Sequence, residues 1–145
     1  MNVEIIQEPL LLDIYGFSGV AQHKDYGGTA FRLMDTMWKV IKRNKLPNKG
    51  QNIWVYEQGH KVFAGVELIG TSPEGTGLEH KHIQLNRYAY YKHTGPYNLI
   101  GQAGQQMTDI IKSKGLQTIL PYIEIYGHWT KDESKLETEL LMYLA

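Results

Sequence analysis

The spacing of apolar residues predicts two amphipathic helices. In the first, apolar positions recur every three or four residues from about Thr29, a candidate N-cap, to Asn44, and Pro47 prevents the helix from continuing. Its apolar stripe consists of Phe31, Met34, Met37, Trp38 and Ile41. This pattern predicts a helix that covers another element with one face.

The second predicted helix has clearer ends. Gly95-Pro96 places a proline at the first helical position, and Lys114-Gly115 has the residue types that are common at a helix C-terminus. Its apolar stripe consists of Leu99, Ala103, Met107, Ile110 and Ile111. Gly101 and Gly104 lie inside it, each at a cost of about 1 kcal/mol relative to alanine. We therefore expect this helix to pack closely on a sheet.

Strand-like segments precede and follow each helix. The predicted strands, rich in β-branched and aromatic residues, cover 10–22, 53–57, 62–69, 83–92, 122–129 and 137–144. A turn at Gln58-Gly59 and a polar loop at 130–135 join the two strands that follow each helix. Each half of the chain is therefore predicted to be a β-α-β-β unit.

An internal repeat supports this prediction. When the sequence is shifted by 70 residues without a gap, identical residues coincide at several positions and apolar residues coincide around them. The identical pairs include His23/His93, Met37/Met107, Lys42/Lys112, Leu46/Leu116 and Tyr56/Tyr126. We interpret the chain as two copies of one unit, from 1 to about 70 and from about 78 to 145. A glycine-rich linker over 70–77 connects them.

These observations predict an α+β fold in a single domain that spans 1–145. The tandem duplicated β-α-β-β modules are expected to be related by a pseudo-twofold axis. Each module would contain a three-stranded sheet that its helix covers on one face. The uncovered sheet faces would then form a ligand cleft between the modules.

Strand alternation suggests which residues line that cleft, because successive side chains of a strand point to opposite faces. The apolar residues expected to face the helices are Ile53, Val55, Ile123 and Ile125. Their alternate neighbours, expected to face the cleft, are Trp54, Tyr56, Glu124 and Tyr126. One carboxylate among three large aromatic rings suits an organic cation. Tyr88 and Tyr90 are secondary ligand-binding candidates, with cross-strand packing as the alternative.

Composition narrows the function classes. The 15 basic and 15 acidic residues balance, so no global field attracts nucleic acid or a membrane surface. The absence of cysteine excludes thiol catalysis, disulfides and cysteine zinc sites. The 10 tyrosines and 3 tryptophans, against 3 phenylalanines, suit a wall that stacks on and hydrogen-bonds to a small molecule. The N-terminal residues have no signal-peptide or membrane-span pattern, so we expect a cytoplasmic protein.

Other chemistries fit the sequence poorly. His80 and His82 share a strand face without a third residue at ligand spacing, so we expect no metal and no cofactor. The linker lacks the Gly-Lys-Ser/Thr ending of a phosphate-binding loop. The basic residues near the end of the first helix are typical of a solvated surface. His93 is expected to act in a turn or as a capping group.

Two segments carry a family resemblance: Tyr88-Ala-Tyr-Tyr-Lys-His-Thr-Gly-Pro-Tyr97 and Leu120-Pro-Tyr-Ile-Glu-Ile-Tyr126. Their pattern, His-Thr-Gly-Pro-Tyr and then Pro-x-x-Glu-x-Tyr, resembles the GyrI-like small-molecule-binding family. That family also supplies the effector-binding domain of some AraC-type and MerR-type regulators. The resemblance implies paired β-α-β-β modules and a cleft for hydrophobic, often cationic compounds. It also implies a central glutamate, at the position of Glu124.

The resemblance leaves three functions open. The first is a binding protein that sequesters or senses amphipathic compounds. The second is a small hydrolase that detoxifies strained, cyclopropane-type electrophiles, with Glu124 as acid or base and Tyr56 or Tyr126 as hydrogen-bond donor. The third is a protein-interaction module, with DNA gyrase or a regulator as partner. Residues 1–145 leave no room for a helix-turn-helix beside this domain, so any effect on transcription is expected to be indirect.

Overall fold

The computed structural model describes residues 1–70 and 73–145. The strands in this part of the chain are β1 (Glu4–Ile6), β2 (Leu10–Val20), β3 (Ile53–Glu57), β4 (Lys61–Val66), β5 (Glu79–Leu85), β6 (Tyr88–Thr94), β7 (Thr118–Tyr126) and β8 (Glu137–Leu144). The helices are α1 (Tyr26–Arg43) and α2 (Ile100–Ser113), and short 3-10 turns join several elements.

All strands belong to one antiparallel sheet with the order β1-β6-β8-β7-β3-β4-β2-β5. The α+β class is therefore confirmed, but in the form of a single eight-stranded sheet instead of two three-stranded ones. The tandem duplication, the pseudo-twofold axis and the module bounds stay predictions. Thr71 and Ser72 of the predicted linker lie outside the described residues.

The sheet is strongly curved. Strands β1 and β2 lie six strand positions apart, which would separate them by about 29 Å in a flat sheet. The link over 7–9 spans at most about 14 Å, so the two edges must approach each other. The two-residue link Asn86-Arg87 between β5 and β6 imposes the same condition.

An apolar core fills the inside of this curve. Its buried residues are Leu12, Ile14, Ile53, Val55, Phe63, Ile83, Leu85, Tyr88, Ile123 and Leu141. They come from seven strands and from both halves of the chain, and neither helix contributes to them. The two halves therefore share one core.

Both helices pack on the outer face of the curve. Ala30 of α1 belongs to an apolar cluster against which Trp54 and Tyr56 pack. The buried residues of α2 belong to a second cluster, against which Tyr122 and Tyr126 pack. Because Tyr56 and Tyr122 are directly paired across β3 and β7, the two helices share one sheet face, with these central strands between them.

The predicted facing of β3 and β7 is wrong. Ile53, Val55 and Ile123 lie in the core inside the curve, and their alternate neighbours face the helices. Curvature buries both faces of the central strands, so apolar residues do not mark the helix side. Alternation separated the two sets of side chains correctly but could not show which set the helices cover.

Several predicted boundaries also change. Helix α1 begins one turn earlier than predicted, with Asp25 as its N-cap: the Asp25 carboxylate accepts the Gly28 N–H at 3.1 Å. Thr29 lies inside the helix, and its hydroxyl donates to the Asp25 carbonyl oxygen at 2.7 Å. Gly27 and Gly28 are poor helix formers, which conceals the first turn in the sequence.

The second half departs from the prediction in a similar way. Pro96 precedes a 3-10 turn over Tyr97–Leu99, and α2 begins only at Ile100. The predicted strand 83–92 is two strands, β5 and β6, separated by Asn86-Arg87. Strand β1 was not predicted, because three residues are too few to show alternation.

Candidate functional site

Glu124 lies on β7 at the centre of the gap between the helices. Its side chain is buried, with the residue 7% exposed, and its carboxylate accepts three phenolic hydrogen bonds. The hydroxyls of Tyr56 and Tyr126 donate to Oε1 at 3.2 and 2.6 Å. The hydroxyl of Tyr122 donates to Oε2 at 2.8 Å.

Strand register places these groups together. Tyr122, Glu124 and Tyr126 alternate along β7 and so share one face. The β3–β7 pairing sets Trp54 opposite Glu124 and Tyr56 opposite Tyr122. The cluster is thus a consequence of two central strands lying side by side.

Burial and the carboxylate keep the three phenols protonated. Burial raises the pKa of Tyr56, Tyr122 and Tyr126 above the ordinary value, and the negative charge of Glu124 raises each further. Each phenol therefore remains a hydrogen-bond donor at neutral pH. The three donors replace the water that a carboxylate loses on burial.

A cavity of about 660 Å³ opens above this cluster, between α1 and the start of α2. Its walls are largely apolar or aromatic and include Phe31, Met34, Trp54, Tyr97, Ile100 and Trp129. Among the described residues that line it, Glu124 is the one acidic residue, and there is no lysine or arginine. The cavity therefore combines a negative floor with apolar walls and has the size usual for a small-molecule site.

Ring contacts hold the aromatic walls in place. The ring centroids of Trp54 and Tyr126 are 4.7 Å apart, and Tyr97 meets Tyr126 edge-on at 5.5 Å. Tyr56 stacks on Tyr122 at 5.7 Å. These contacts have favourable aromatic geometry, so each ring helps to hold its neighbour in position.

The structure brings four of the six predicted ligand-binding residues into one group: Trp54, Tyr56, Glu124 and Tyr126. Tyr88 and Tyr90 lie elsewhere. Tyr88 is buried in the core inside the curve, and Tyr90 packs against the same core. Burial and a hydrogen bond to Glu139 raise the pKa of Tyr90. These two residues follow the packing alternative, since β6 turns them to the other face of the sheet.

Sequence reasoning missed several residues of the site. Tyr122 is two positions before Glu124, so strand alternation alone places it on the same face. Tyr97 ends the Gly-Pro-Tyr motif but had no predicted role in the cleft. Phe31 and Trp129 reach the cavity from distant elements, and nothing in the local sequence marks them as neighbours.

Three histidines make polar contacts away from the cavity, whereas His128 lines it. His80 Nε2 and His82 Nδ1 contact the same Asp13 oxygen at 2.7 and 3.1 Å. His93 lies in β6 and not in a turn, but its Nε2 is 3.1 Å from the Pro96 carbonyl oxygen, so its side chain contacts the turn that follows the strand. Residues 1–70 and 73–145 contain no cluster of three or more groups arranged to hold a metal. Neither helix in these ranges is long and apolar enough to cross a bilayer.

A curved antiparallel sheet with two helices on one face, and an aromatic cavity above a buried glutamate between them, defines a small-molecule-binding domain. The chain belongs to the GyrI-like family: the family model of the GyrI-like small molecule binding domain matches residues 1–145. No curated protein matches the chain.

Solved structures share this fold at low sequence identity. The C-terminal domain of EcmrR is similar with a TM-score of 0.75 and 12% identity, over 100% of this chain and 99% of that one. The structure of SAV2435 bound to tetraphenylphosphonium is similar with a TM-score of 0.61 and 17% identity, over 100% of this chain and 94% of that one. A hydrolase from Listeria innocua is similar with a TM-score of 0.60 and 10% identity, over 99% of this chain and 91% of that one.

Proposed function

We propose that this domain binds hydrophobic organic cations in the cleft between α1 and α2, with Glu124 as the counter-ion. The observation that carries the proposal is the buried Glu124 carboxylate, held by three phenolic hydroxyls at the base of an aromatic cavity. A ligand that enters this cavity leaves water and meets one negative charge. A positive charge on the ligand is therefore favoured.

The walls supply the remaining affinity. Each aromatic face that meets a cation contributes about 0.5–2 kcal/mol, and burial of apolar surface adds about 25 cal/mol per Å². Trp54, Tyr97 and Tyr126 offer such faces around the carboxylate. Both contributions give a broad cation with apolar groups a higher affinity than a small ammonium ion.

Hydrogen bonding favours the same class of ligand. A carboxylate has about four lone-pair positions, and the phenols of Tyr56, Tyr122 and Tyr126 occupy three of them. A ligand rich in N–H donors has one remaining position on Glu124 and would have to displace a phenol to make a second bond. A cation without donors needs only proximity, and SAV2435 is bound to such a cation, tetraphenylphosphonium.

We place this binding in a sequestering or sensing role. EcmrR, whose C-terminal domain has this fold, is also known in a DNA complex, and there the similar region is 56% of the EcmrR chain. Sensing by the present domain would need another domain or a separate protein that responds to its ligand state. DNA gyrase or a separate regulator as that partner, and a cytoplasmic location, remain predictions.

Binding of tetraphenylphosphonium, measured by titration calorimetry, tests the proposal. Glu124→Gln keeps the side-chain volume and removes the charge, so the affinity should fall by about 1–3 kcal/mol, which is about 5-fold to 150-fold. The affinity for neutral triphenylphosphine oxide should fall much less in the same variant. Glu8→Gln, an exposed glutamate outside the cavity, is the matched control and should bind as the wild type does. Equal losses for both probes would assign Glu124 a structural role only.

Hydrolysis of strained electrophiles is the second candidate. Its support is the fold shared with a Listeria innocua hydrolase and the second lone-pair position on Glu124 Oε2, which accepts the Tyr122 bond alone among the bonds of the described residues. Glu124 would take a proton from a water held there while the water oxygen bonds to the ring carbon. The strained C–C bond breaks, and its electron pair moves onto a conjugated carbonyl oxygen that Tyr126 or Tyr56 stabilises. The resulting enolate then regains the proton from Glu124. Mass spectrometry of a cyclopropane-containing electrophile after incubation decides the matter. Release of unchanged compound removes this candidate, and product formation that survives Glu124→Gln would place the chemistry elsewhere.

A further inference from the structure

A second cavity of about 390 Å³ adjoins the ligand cleft. Pro96, Leu136 and the rings of Tyr97 and Trp129 form its apolar wall. Tyr97 and Trp129 also line the cleft above Glu124, so the two cavities meet at these two rings. We call them the outer cavity and the inner cavity.

The walls of the outer cavity are fixed by hydrogen bonds. The Gly95 N–H donates to the Leu136 carbonyl oxygen at 2.8 Å, which ties the Pro96-Tyr97 turn to the loop between β7 and β8. His93 holds the same turn through its contact with the Pro96 carbonyl at 3.1 Å. A carbonyl oxygen only accepts, so His93 Nε2 carries the proton in this bond. These hydrogen bonds therefore hold the two sides of the outer cavity together.

Large aromatic side chains are left in water where the two cavities meet. Trp129 is 70% exposed and Tyr97 is 40% exposed, and Phe31, which lines the inner cavity, is 57% exposed. They come from three different elements and surround one opening. An exposed apolar cluster at a cavity mouth is typical of a surface that a ligand covers.

We infer that the outer cavity is a second subsite of the cleft, and that it takes a neutral aromatic arm of an elongated cation whose charged head lies at Glu124. This inference rests on the proposed function. Lys131 and Glu133 give the outer cavity one positive and one negative side chain, so it has no net charge. Its apolar wall favours a ring over a polar group. The ligand is thus a two-part molecule with a cationic head and an uncharged arm.

The other extension of the cleft does not suit such an arm. A cavity of about 250 Å³ adjoins the inner cavity at Gly127 and His128. Four of the residues that line it are charged: Lys92, Lys135, Glu137 and Glu139. An apolar arm there would desolvate charges without compensation. The direction past Trp129 is the one that buries apolar surface on both partners.

A series of triphenylphosphonium cations tests the inference. The head is constant, and the fourth substituent is either methyl or an alkyl chain of increasing length that ends in a phenyl ring. In the wild type, the affinity should rise by about fourfold for each methylene that becomes buried, and at least tenfold for the longest arm. The measured quantity is the arm gain, the ratio of the affinities for the phenyl-ended and the methyl cation.

Two variants locate the arm. Asn98→Trp places a large ring in the outer cavity, which Asn98 lines without lining the inner one, and should reduce the arm gain to about one. Trp129→Ala removes the exposed ring and should reduce the gain at least threefold. Leu11→Ala is the control, because Leu11 is exposed and lines neither cavity.

Each outcome has a distinct meaning. An arm gain that falls in both variants but not in Leu11→Ala supports the outer subsite. If Asn98→Trp does not fold, as judged by circular dichroism, Trp129→Ala decides alone. An arm gain unchanged in the variants, or absent at every arm length while the methyl cation binds, overturns the inference and leaves the proposed function intact. Failure of the methyl cation and tetraphenylphosphonium to bind overturns both.

Discussion

At the scale of single residues, the site depends on how one buried charge is satisfied. Glu124 has no basic partner among the described residues that bond it; it has three phenols instead. A lysine or arginine there would neutralise the charge and remove the attraction for a cation. Phenols satisfy the hydrogen-bonding needs of the carboxylate and leave its charge for the ligand.

This arrangement predicts a loss of stability at high pH. The pKa of Tyr56, Tyr122 and Tyr126 is raised in the folded state, so above about pH 10 the unfolded chain releases protons that the folded chain retains. The free energy of unfolding should be unaffected by these groups below pH 9. It should then fall by up to about 1.4 kcal/mol per pH unit for each tyrosine.

Urea denaturation between pH 8 and pH 11.5 measures this effect. Tyr122→Phe removes one of the three ionisable groups. The free energy of unfolding of this variant should therefore fall less steeply with pH than that of the wild type, by up to about 1.4 kcal/mol per pH unit. Comparison of the two proteins cancels the titration of lysines, which both share. Identical slopes would show that Tyr122 does not retain its proton in the folded state.

At the scale of secondary-structure elements, the glycines of strands and helices have different roles. A Cβ on Gly16 of β2 would lie 1.8 Å from the Ala64 carbonyl oxygen of β4, and Gly16 pairs directly with Gly65. The strands approach closely there, and a side chain does not fit. A Cβ on Gly101 of α2 would meet no atom within 4 Å, so the predicted close packing at this residue is wrong.

These two positions predict opposite effects of alanine. Gly16→Ala should destabilise the domain by about 3 kcal/mol, because backbone must move to admit the methyl group. Gly101→Ala should stabilise it by about 0.5–1 kcal/mol through helix propensity and a less flexible unfolded chain. Thermal and urea unfolding of both variants measure these changes. A small effect at Gly16 would mean that β2 and β4 can separate without cost.

At the scale of the whole molecule, the curvature of the sheet joins the two halves. The core inside the curve takes Leu12, Ile14 and Phe63 from the first half, and Ile83 and Leu141 from the second. The cleft also needs both halves, because Trp54 and Glu124 face each other across the β3–β7 pair. Neither the core nor the site exists within one half.

The shared core predicts that a fragment of residues 1–70 does not fold alone. It would expose the inner faces of β2, β3 and β4 and lack β5, the partner of β2. Circular dichroism should show no cooperative thermal transition for this fragment, whereas the full chain should show one. A cooperative transition in the fragment would instead mean that the predicted β-α-β-β module is an independent unit.

The sequence by itself determined which side chains belong together along a strand. Alternation has a period of two residues, so Glu124 and Tyr126 must share a face, and so must Trp54 and Tyr56. The types of those residues also favour a cationic ligand, because a carboxylate and aromatic faces both attract positive charge, and this ligand class remains a proposal. These inferences depend only on local geometry and chemistry.

Tertiary structure decided the rest. Which face the helices cover, and that Tyr88 and Tyr90 turn away from the cleft, follow from the curvature that buries both sides of the central strands. The presence of Phe31, Tyr97 and Trp129 around one opening follows from how distant elements pack. Local patterns carry no information about such contacts, because these depend on strand order and curvature over the whole chain.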